Sequence, residues 1–257
     1  MEPEGGAWEA LEVAAEAGQL LIQAGAEVKR AEETVIHIAR AYGWKQVEAV
    51  VMPTALFVSA PGAPAVVRRI RARQVNLATV AAVNQISRDL NRELIAPAVL
   101  RQRLRQAAAR RAISRPTTVL VAALIAGWMS QLMGGSPADF PAASLSGALA
   151  EGVTQLFART VFPSALTAMA AAVVATWPAL VEAALGPRGL NPGAELVGGV
   201  MVLVPGLALT AAVRDAIAGD LLAAAARFLE GVMVVAAVAA GVSLSLYGYL
   251  HQGGRWP

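Results

Sequence analysis

The chain has 257 residues, and 56% of them are hydrophobic, which exceeds the roughly 45–50% apolar content of ordinary soluble domains. It has no cysteine, which excludes disulfides, thiolate metal sites and a cysteine nucleophile. The sequence contains no phosphate-binding loop, dinucleotide fingerprint, zinc-binding helix motif or serine nucleophile elbow. We therefore predict no metal, no cofactor and no catalytic residue.

The charged residues are distributed unevenly along the chain. Of the 39 charged residues, 27 lie in residues 1–116 and 12 in the remaining 141. This asymmetry predicts a cytoplasmic domain over residues 1–112 and a transmembrane domain over residues 113–257. Six arginines just before the first long apolar stretch favour anionic lipid headgroups as partners over nucleic acid. They are Arg101, Arg103, Arg105, Arg110, Arg111 and Arg115.

The first half of the chain predicts a small α+β domain. Its acidic start, Met1-Glu2-Pro3-Glu4, lacks the cationic and apolar regions of a secretory signal peptide, so we expect this half to stay in the cytoplasm. Helical periodicity and β-rich runs separated by Pro and Gly predict four helices around a small antiparallel sheet. The helices are expected at 7–24, 27–42, 77–92 and 97–111, and the strands at 47–52, 54–60 and 65–73.

The third predicted strand has two different faces. Val66, Ile70 and Ala72 alternate with Arg69, Arg71 and Arg73. Because successive side chains of a strand point to opposite faces, we expect one apolar face and one row of guanidinium groups.

Five long apolar stretches follow, at about 117–133, 140–157, 162–181, 194–213 and 221–250. A soluble bundle of these helices would need polar faces with charges at three- and four-residue spacing, and such faces are missing. We therefore predict a bundle of about five transmembrane helices. The predicted short loops place Arg159 and Arg214 on one side of the membrane and Arg188 and Arg255 on the other. Together with the arginine run before the first span, these cations favour a cytoplasmic N-terminus and an external C-terminus.

Ionisable residues inside apolar spans are costly and often functional. Glu151 lies in the middle of the second stretch without a cation within one helical turn, which makes it a candidate proton carrier or a structural hydrogen-bonding group. Arg227 and Glu230 are three residues apart and can pair, or Arg227 can bind a substrate carboxylate when Glu230 releases it. Glu195 stands near a predicted outer helix end, where we expect it to be solvated.

The fourth apolar stretch contains a helix break. Pro205 removes a backbone donor and Gly206 loosens the chain, and broken helices in transporters expose N–H groups to anionic substrates. Packing kinks are also common in membrane helices. The charged residues Arg214, Asp215 and Asp220 follow, in a turn that we expect on the cytoplasmic side.

The segment from Gly25 to Thr34 begins the second predicted helix and places Glu27, Arg30 and Thr34 near one face. Glu27 at a helix start can simply balance the helix dipole, so physical reasoning alone favours a structural role here.

Four sequence strings, taken together and in order, resemble the threonine/serine exporter family. They are GAEVKRAEET at 25–34, PTALFVS at 53–59, VVRRIRARQVNL at 66–77 and VPGLALTAAVRDAIAGDLLAAAARFLEG at 204–231. The resemblance implies a bacterial cell-membrane protein of the split type, in which a larger subunit with five spans works with a small membrane partner subunit. It further implies a cytoplasmic signature of Glu27, Arg30, Glu32 and Thr34, and a membrane signature of Pro205, Gly206, Arg214, Asp215, Asp220, Arg227 and Glu230.

We therefore hypothesise a subunit of a secondary exporter, working as a hetero-oligomer. Its substrate would be a small carboxylate metabolite, either a threonine- or serine-like amino acid or a succinate-like dicarboxylate, moved outward by proton coupling. A site between the broken fourth span and the second span would supply charge and exposed backbone. The alternatives are a membrane-anchored hydrolase-like enzyme and a regulatory subunit of a transport complex.

Overall fold

The computed structural model describes residues 5–70, 75–109, 113–158, 160, 162–186 and 189–256. The described residues form two compact units. The first unit combines residues of 1–112 with residues 210–227, and the second combines 113–209 with the residues from 228 onward. The assignment of 1–112 to the cytoplasm and 113–257 to the membrane stays a prediction.

The helices of the first unit are α1 (Gly5–Gln23), α2 (Val28–Ala41), α3 (Leu77–Asp89) and α4 (Pro97–Ala109). Apolar residues recur at helical spacing along α2, and Val28, Val35 and Ile38 among them are almost fully excluded from solvent. Gly43 follows this helix with a φ of 94°, a conformation that glycine adopts without a steric penalty. These helices enclose the apolar core of the unit, to which Ala223 also belongs.

The predicted antiparallel sheet is present. It consists of β1 (Glu48–Val51), β2 (Ala55–Ser59) and β3 (Val66–Arg69), with β2 in the centre. Leu56 and Val58 of the central strand point into the core and are fully buried. The sheet therefore contributes one apolar face to the first unit.

The strand β3 shows part of the predicted alternation. Val66 and Ile70 are buried and Arg69 is exposed, as expected. Between them, Arg68 shares the inner side and forms an ion pair with Glu16 of α1 at 3.3 Å. The predicted positions Arg71, Ala72 and Arg73 lie outside the described residues, as do Arg110, Arg111, Arg159 and Arg188.

One arginine of the basic run has protein partners. Arg101 on α4 lies against three carboxylates of α1, with nitrogen–oxygen distances of 2.7 Å to Glu9, 3.4 Å to Glu12 and 3.2 Å to Glu16. This network joins α1 to α4 and occupies the guanidinium group. Arg101 is thus engaged within the protein, whereas Arg103, Arg105 and Arg115 are exposed.

The second unit is a helical bundle of α5 (Arg115–Leu132), α6 (Phe140–Phe157), α7 (Ser164–Leu185) and α8 (Pro192–Met201), with most of α10 (Leu221–His251). The helix α8 packs against the three that precede it. Small residues form these contacts: a Cβ on Gly198 would lie 2.6 Å from the backbone oxygen of Ala126. The four helices therefore approach one another closely along their glycine, alanine and serine positions.

Two described helices, α7 and α10, are long and apolar enough to cross a membrane. A third span is formed if α8 and α9 (Gly206–Ile217), which bend by 55° at their junction, count as one. The bend occurs at the predicted break around Pro205, where the helix ends at Met201 and restarts at Gly206. The count of five spans remains a prediction.

Candidate functional site

Residues from both ends of the sequence meet at the start of α2. The N–H of Val28 donates to Oδ1 of Asp215 at 3.4 Å, and the guanidinium of Arg227 donates to the carbonyl of Ala26 at 2.6 Å. Glu27, the residue before the helix, makes no capping hydrogen bond of its own. Because the first N–H groups of a helix have no intrahelical partner, Asp215 supplies an acceptor that the local sequence lacks.

Asp215 and Arg227 form a buried ion pair beneath this helix start. The distance between Nε of Arg227 and Oδ2 of Asp215 is 3.2 Å, and the side chains are 8% and 1% exposed. Arg227 thus has a carboxylate partner other than Glu230, which the sequence analysis considered. With both groups buried and engaged, this arginine is a structural element of the first unit.

A second ion pair lies at the same helix start, but it is open to solvent. The distance between Nη1 of Arg214 and Oε1 of Glu27 is 2.8 Å, with side-chain exposures of 69% and 43%. An exposed pair of this kind is weak and exchangeable. Arg214 is therefore a cation of this region that a carboxylate from solution can reach.

The other predicted signature residues of the first unit have mixed positions. Half-buried Glu32 accepts a hydrogen bond from the N–H of Val51 at 3.0 Å, and burial raises the pKa of its carboxyl, with the charges of Asp220 and Glu33 adding to the effect. Thr34 is buried, and its hydroxyl donates to the carbonyl of exposed Arg30 at 2.8 Å. These contacts join α2 to the sheet and to its own backbone.

Glu151, the predicted proton carrier, is half-buried on α6. The side-chain amide of Gln155 donates to it at 2.9 Å and also to the carbonyl of Arg115 at 3.1 Å. Along the chain, Pro205 is half-buried at the helix break, Gly206 begins α9, and Glu230 is exposed on α10. Glu151 therefore belongs to the second unit, whereas the residues around Asp215 belong to the first.

The second unit contains an acidic cluster that the sequence analysis missed. One carboxylate oxygen from each of Asp139, Glu182 and Glu195 lies within 4.8 Å of the other two. Asp139 and Glu195 are fully buried and Glu182 is half-buried. The expectation that Glu195 is solvated was wrong, because the ends of the neighbouring helices cover it.

Local backbone features position the three carboxylates. Asp139 precedes α6 and accepts from the N–H of Asn191 at 2.8 Å and from the N–H of Ser136. Asn191 in turn begins α8, where its side chain accepts from the N–H of Ala194 at 3.0 Å, and Glu195 follows in the first turn. The partial positive charge of this helix start favours one anion but does not balance three.

The sequence did contain a signal for this cluster. In the predicted arrangement of five spans, successive spans run in opposite directions, so the loop before span two, the end of span three and the start of span four share one side of the membrane. Asp139, Glu182 and Glu195 occupy those three places. Grouping charges by predicted side would have placed them together.

A family model for threonine/serine exporters matches residues 12–248. The chain belongs to the threonine/serine exporter family. No curated protein and no solved structure matches it. Family membership and the apolar helices identify a membrane transport protein, and the family points to a transporter rather than an enzyme.

The family match spans both groups of residues that meet at the start of α2. In this threonine/serine exporter family member, the string at 25–34 supplies Glu27 and Val28, and the string at 204–231 supplies Arg214, Asp215 and Arg227. The contacts give a physical reason for finding both strings in one chain, since each completes the local structure of the other.

Proposed function

We propose that the chain is the larger subunit of a secondary exporter that moves a small carboxylate metabolite out of the cell in exchange for protons. A small membrane partner subunit completes the transporter. The family match supports export of threonine- or serine-like substrates. The observation in the structure that carries the proposal is the exposed Arg214, which is paired with an exchangeable carboxylate.

Arg214 and Arg227 have different roles in this proposal. Arg227 is 8% exposed and bound to Asp215 and to a backbone carbonyl, so a substrate could reach it only by breaking a buried pair. Arg214 is 69% exposed, and its partner Glu27 presents the same chemical group as the substrate. A substrate carboxylate would therefore replace Glu27 at Arg214 with little net cost.

The substrate classes to compare are threonine- or serine-like amino acids and succinate-like dicarboxylates. Both carry a carboxylate that a guanidinium recognises. The amino acids carry an ammonium group in addition, whereas the dicarboxylates carry a second anion. Expression of the chain together with a neighbouring small membrane protein, followed by metabolite profiling of the medium, would distinguish the two classes.

The decisive test of Arg214 is efflux from loaded vesicles. We expect Arg214→Gln to raise the half-saturation concentration for the substrate by at least tenfold and Arg214→Lys to restore part of the affinity. Arg103→Gln, which removes an exposed arginine from α4, serves as the matched control. Normal efflux kinetics in Arg214→Gln would reject this arginine as the substrate contact.

In this exporter, Glu151 transfers protons in the predicted cytoplasmic half of the second unit. It is an ionisable group half-buried on α6, and the side-chain amide of Gln155 donates to it at 2.9 Å. Efflux driven by a pH gradient should collapse in Glu151→Gln. Full gradient-dependent transport by this variant would remove Glu151 from the mechanism.

A further inference from the structure

The acidic cluster of the second unit contains a buried carboxylate, that of Glu195, for which the described residues provide no hydrogen-bond donor. Both carboxylate oxygens of Glu195 are buried, and neither has a hydrogen-bond partner in the described part of the chain. Glu195 is fully excluded from solvent and lies on the first turn of α8, with its carboxylate directed towards Glu182 and Asp139. A buried carboxylate without donors is costly in its ionised form.

Asp139 is the member that holds a negative charge. Burial acts to raise its pKa. Hydrogen bonds from the N–H of Asn191, from the hydroxyl and N–H of Ser136 and with Glu182 act in the opposite direction. Together they outweigh burial, so the pKa of Asp139 lies below its ordinary value. Two backbone N–H donors therefore stabilise the ionised carboxylate of Asp139.

The contacts of Glu182 and Glu195 become hydrogen bonds only if the two carboxyl groups share a proton. Glu182 contacts both Asp139 and Glu195, so the carboxylate oxygens of the cluster face one another. A contact between two carboxyl oxygens is a hydrogen bond only when one of them carries a proton. Like charges at this separation in a buried site disfavour ionisation of all three.

No cation of the described second unit forms an ion pair with the cluster. On the packed helices, Arg115 lies at the far end of α5, where its carbonyl contacts Gln155, and Glu151 lies twelve positions along α6 from Asp139, about 18 Å away at the helical rise. The helix α10, which contacts α7 through Ser245, carries Glu230 and the exposed His251, with Arg255 beyond its end. His251 stacks on Tyr247.

We propose that Asp139, Glu182 and Glu195 form a proton-binding site at the predicted outer end of the bundle. Half-buried Glu182 is the member open to the outside, and it receives a proton that it shares with Glu195. The cluster loses this proton again through Glu182, so the number of protons bound and released is equal. The use of this site in export depends on the function proposed above, whereas its protonation does not.

Infrared spectroscopy of the purified full-length chain in lipid tests protonation without any transport. We expect a carbonyl stretching band from protonated carboxyls that disappears as the pH is raised and is lost or strongly reduced in Glu195→Gln. Glu93→Gln, which removes an exposed carboxyl of the first unit, should leave the band unchanged. An unchanged band in both Glu195→Gln and Glu182→Gln would overturn the proposal.

Thermal melting provides a second readout that separates protons from metal ions. Glutamine has nearly the shape of a protonated glutamate, so Glu195→Gln should melt at or above the wild-type temperature if Glu195 holds a proton. Titration with Ca²⁺, Mg²⁺ and Na⁺ by calorimetry should give no binding that depends on Glu195. Binding of one of these ions that is lost in Glu195→Gln would replace the proton site with a metal site and overturn the proposal.

Transport assays then connect the site to export. In reconstituted vesicles containing the partner subunit, Glu195→Gln should retain substrate exchange at equal pH but lose accumulation driven by a pH gradient. Full gradient-driven accumulation by Glu195→Gln would reject a coupling role. Absence of any exchange by the wild-type protein would contradict the exporter function itself, while the infrared result would still decide whether the cluster binds protons.

Discussion

Asp215 accepts a hydrogen bond from the backbone N–H of Val28, a residue 187 positions earlier in the chain. The same carboxylate lies 3.2 Å from Nε of Arg227, which itself donates to the carbonyl of Ala26. One buried aspartate thus joins the start of α2 to α9 and to the first turns of α10 within the first unit.

Asp215→Asn should destabilise the protein strongly. The substitution keeps an acceptor for Val28 but leaves the buried Arg227 without a counter-charge, which typically costs about 3–5 kcal/mol. The melting temperature of the full-length chain in detergent measures the effect. Asp89→Asn, which changes an exposed hydrogen bond between Gln85 and Asp89, should shift melting by much less. Equal melting of the two variants would contradict a structural role for Asp215.

Glu27→Gln should increase the apparent affinity of the transporter for its substrate. The substitution removes the charge that competes for Arg214, and because the pair is exposed it should cost at most about 1 kcal/mol of stability. Efflux kinetics would show a lower half-saturation concentration at unchanged melting temperature. A higher half-saturation concentration would mean that Glu27 itself helps to bind the substrate.

Glu32→Gln should stabilise the protein at neutral pH and reduce its pH dependence. Burial raises the pKa of Glu32 in the folded state above its ordinary value of 4.5, so the wild type loses stability as the pH rises from 4.5 through the folded-state pKa. Glutamine keeps an acceptor for the N–H of Val51 and cannot ionise. Melting curves from pH 4 to pH 8 should converge at the acidic end, a pattern that the exposed control Glu93→Gln should not show.

The elements that the sequence predicted correctly are those fixed by local patterns. The apolar periodicity of α2 and the turn residues around Pro53 and Pro61 determine helix and strands over a few residues, and Pro205 breaks its helix wherever it is packed. The partners of the site residues were harder to predict, because the tertiary fold determines which side chains meet. Arg227 has carboxylates three and twelve positions away, and spacing alone favoured the nearer one.

The expectation that Glu195 is solvated was wrong for a related reason. Its position near a helix end is visible in the sequence, but the cover provided by the loop before α6 and by the end of α7 is not. Burial depends on which elements pack together, and a single-sequence pattern reports only the face of each element.

Gly198→Ala should destabilise the bundle of the second unit. A new Cβ would lie 2.6 Å from the carbonyl oxygen of Ala126 and 2.8 Å from the amide nitrogen of Ser130, and backbone atoms cannot move aside as a flexible side chain can. Overpacking of this kind costs about 1–3 kcal/mol. The matched substitution Gly152→Ala on α6 meets no atom within 4 Å, and it should be neutral or stabilise by up to about 1 kcal/mol. Similar melting temperatures for both would contradict the close helix approach.

The number of spans can be tested because the chain has no cysteine. Single cysteines at the exposed positions Glu48 and Gln252 provide unique labels on the first unit and after α10. Five spans place these positions on opposite sides of the membrane, so an impermeant thiol reagent should label Gln252→Cys in intact cells and Glu48→Cys only in inverted vesicles. Labelling of both from the same side would require an even number of spans.

The contribution of residues 210–227 to the first unit has a consequence for biosynthesis. When the ribosome has released residue 109, the core still lacks Ala223, and Asp215, the acceptor for the amide of Val28 in the folded unit, has not yet been synthesised. The early part of the chain therefore stays incompletely folded while the four apolar helices α5 to α8 are synthesised and inserted into the membrane. A nascent chain stalled before residue 210 should be cleaved by proteases within its first hundred residues, and one stalled well beyond residue 227 should resist them.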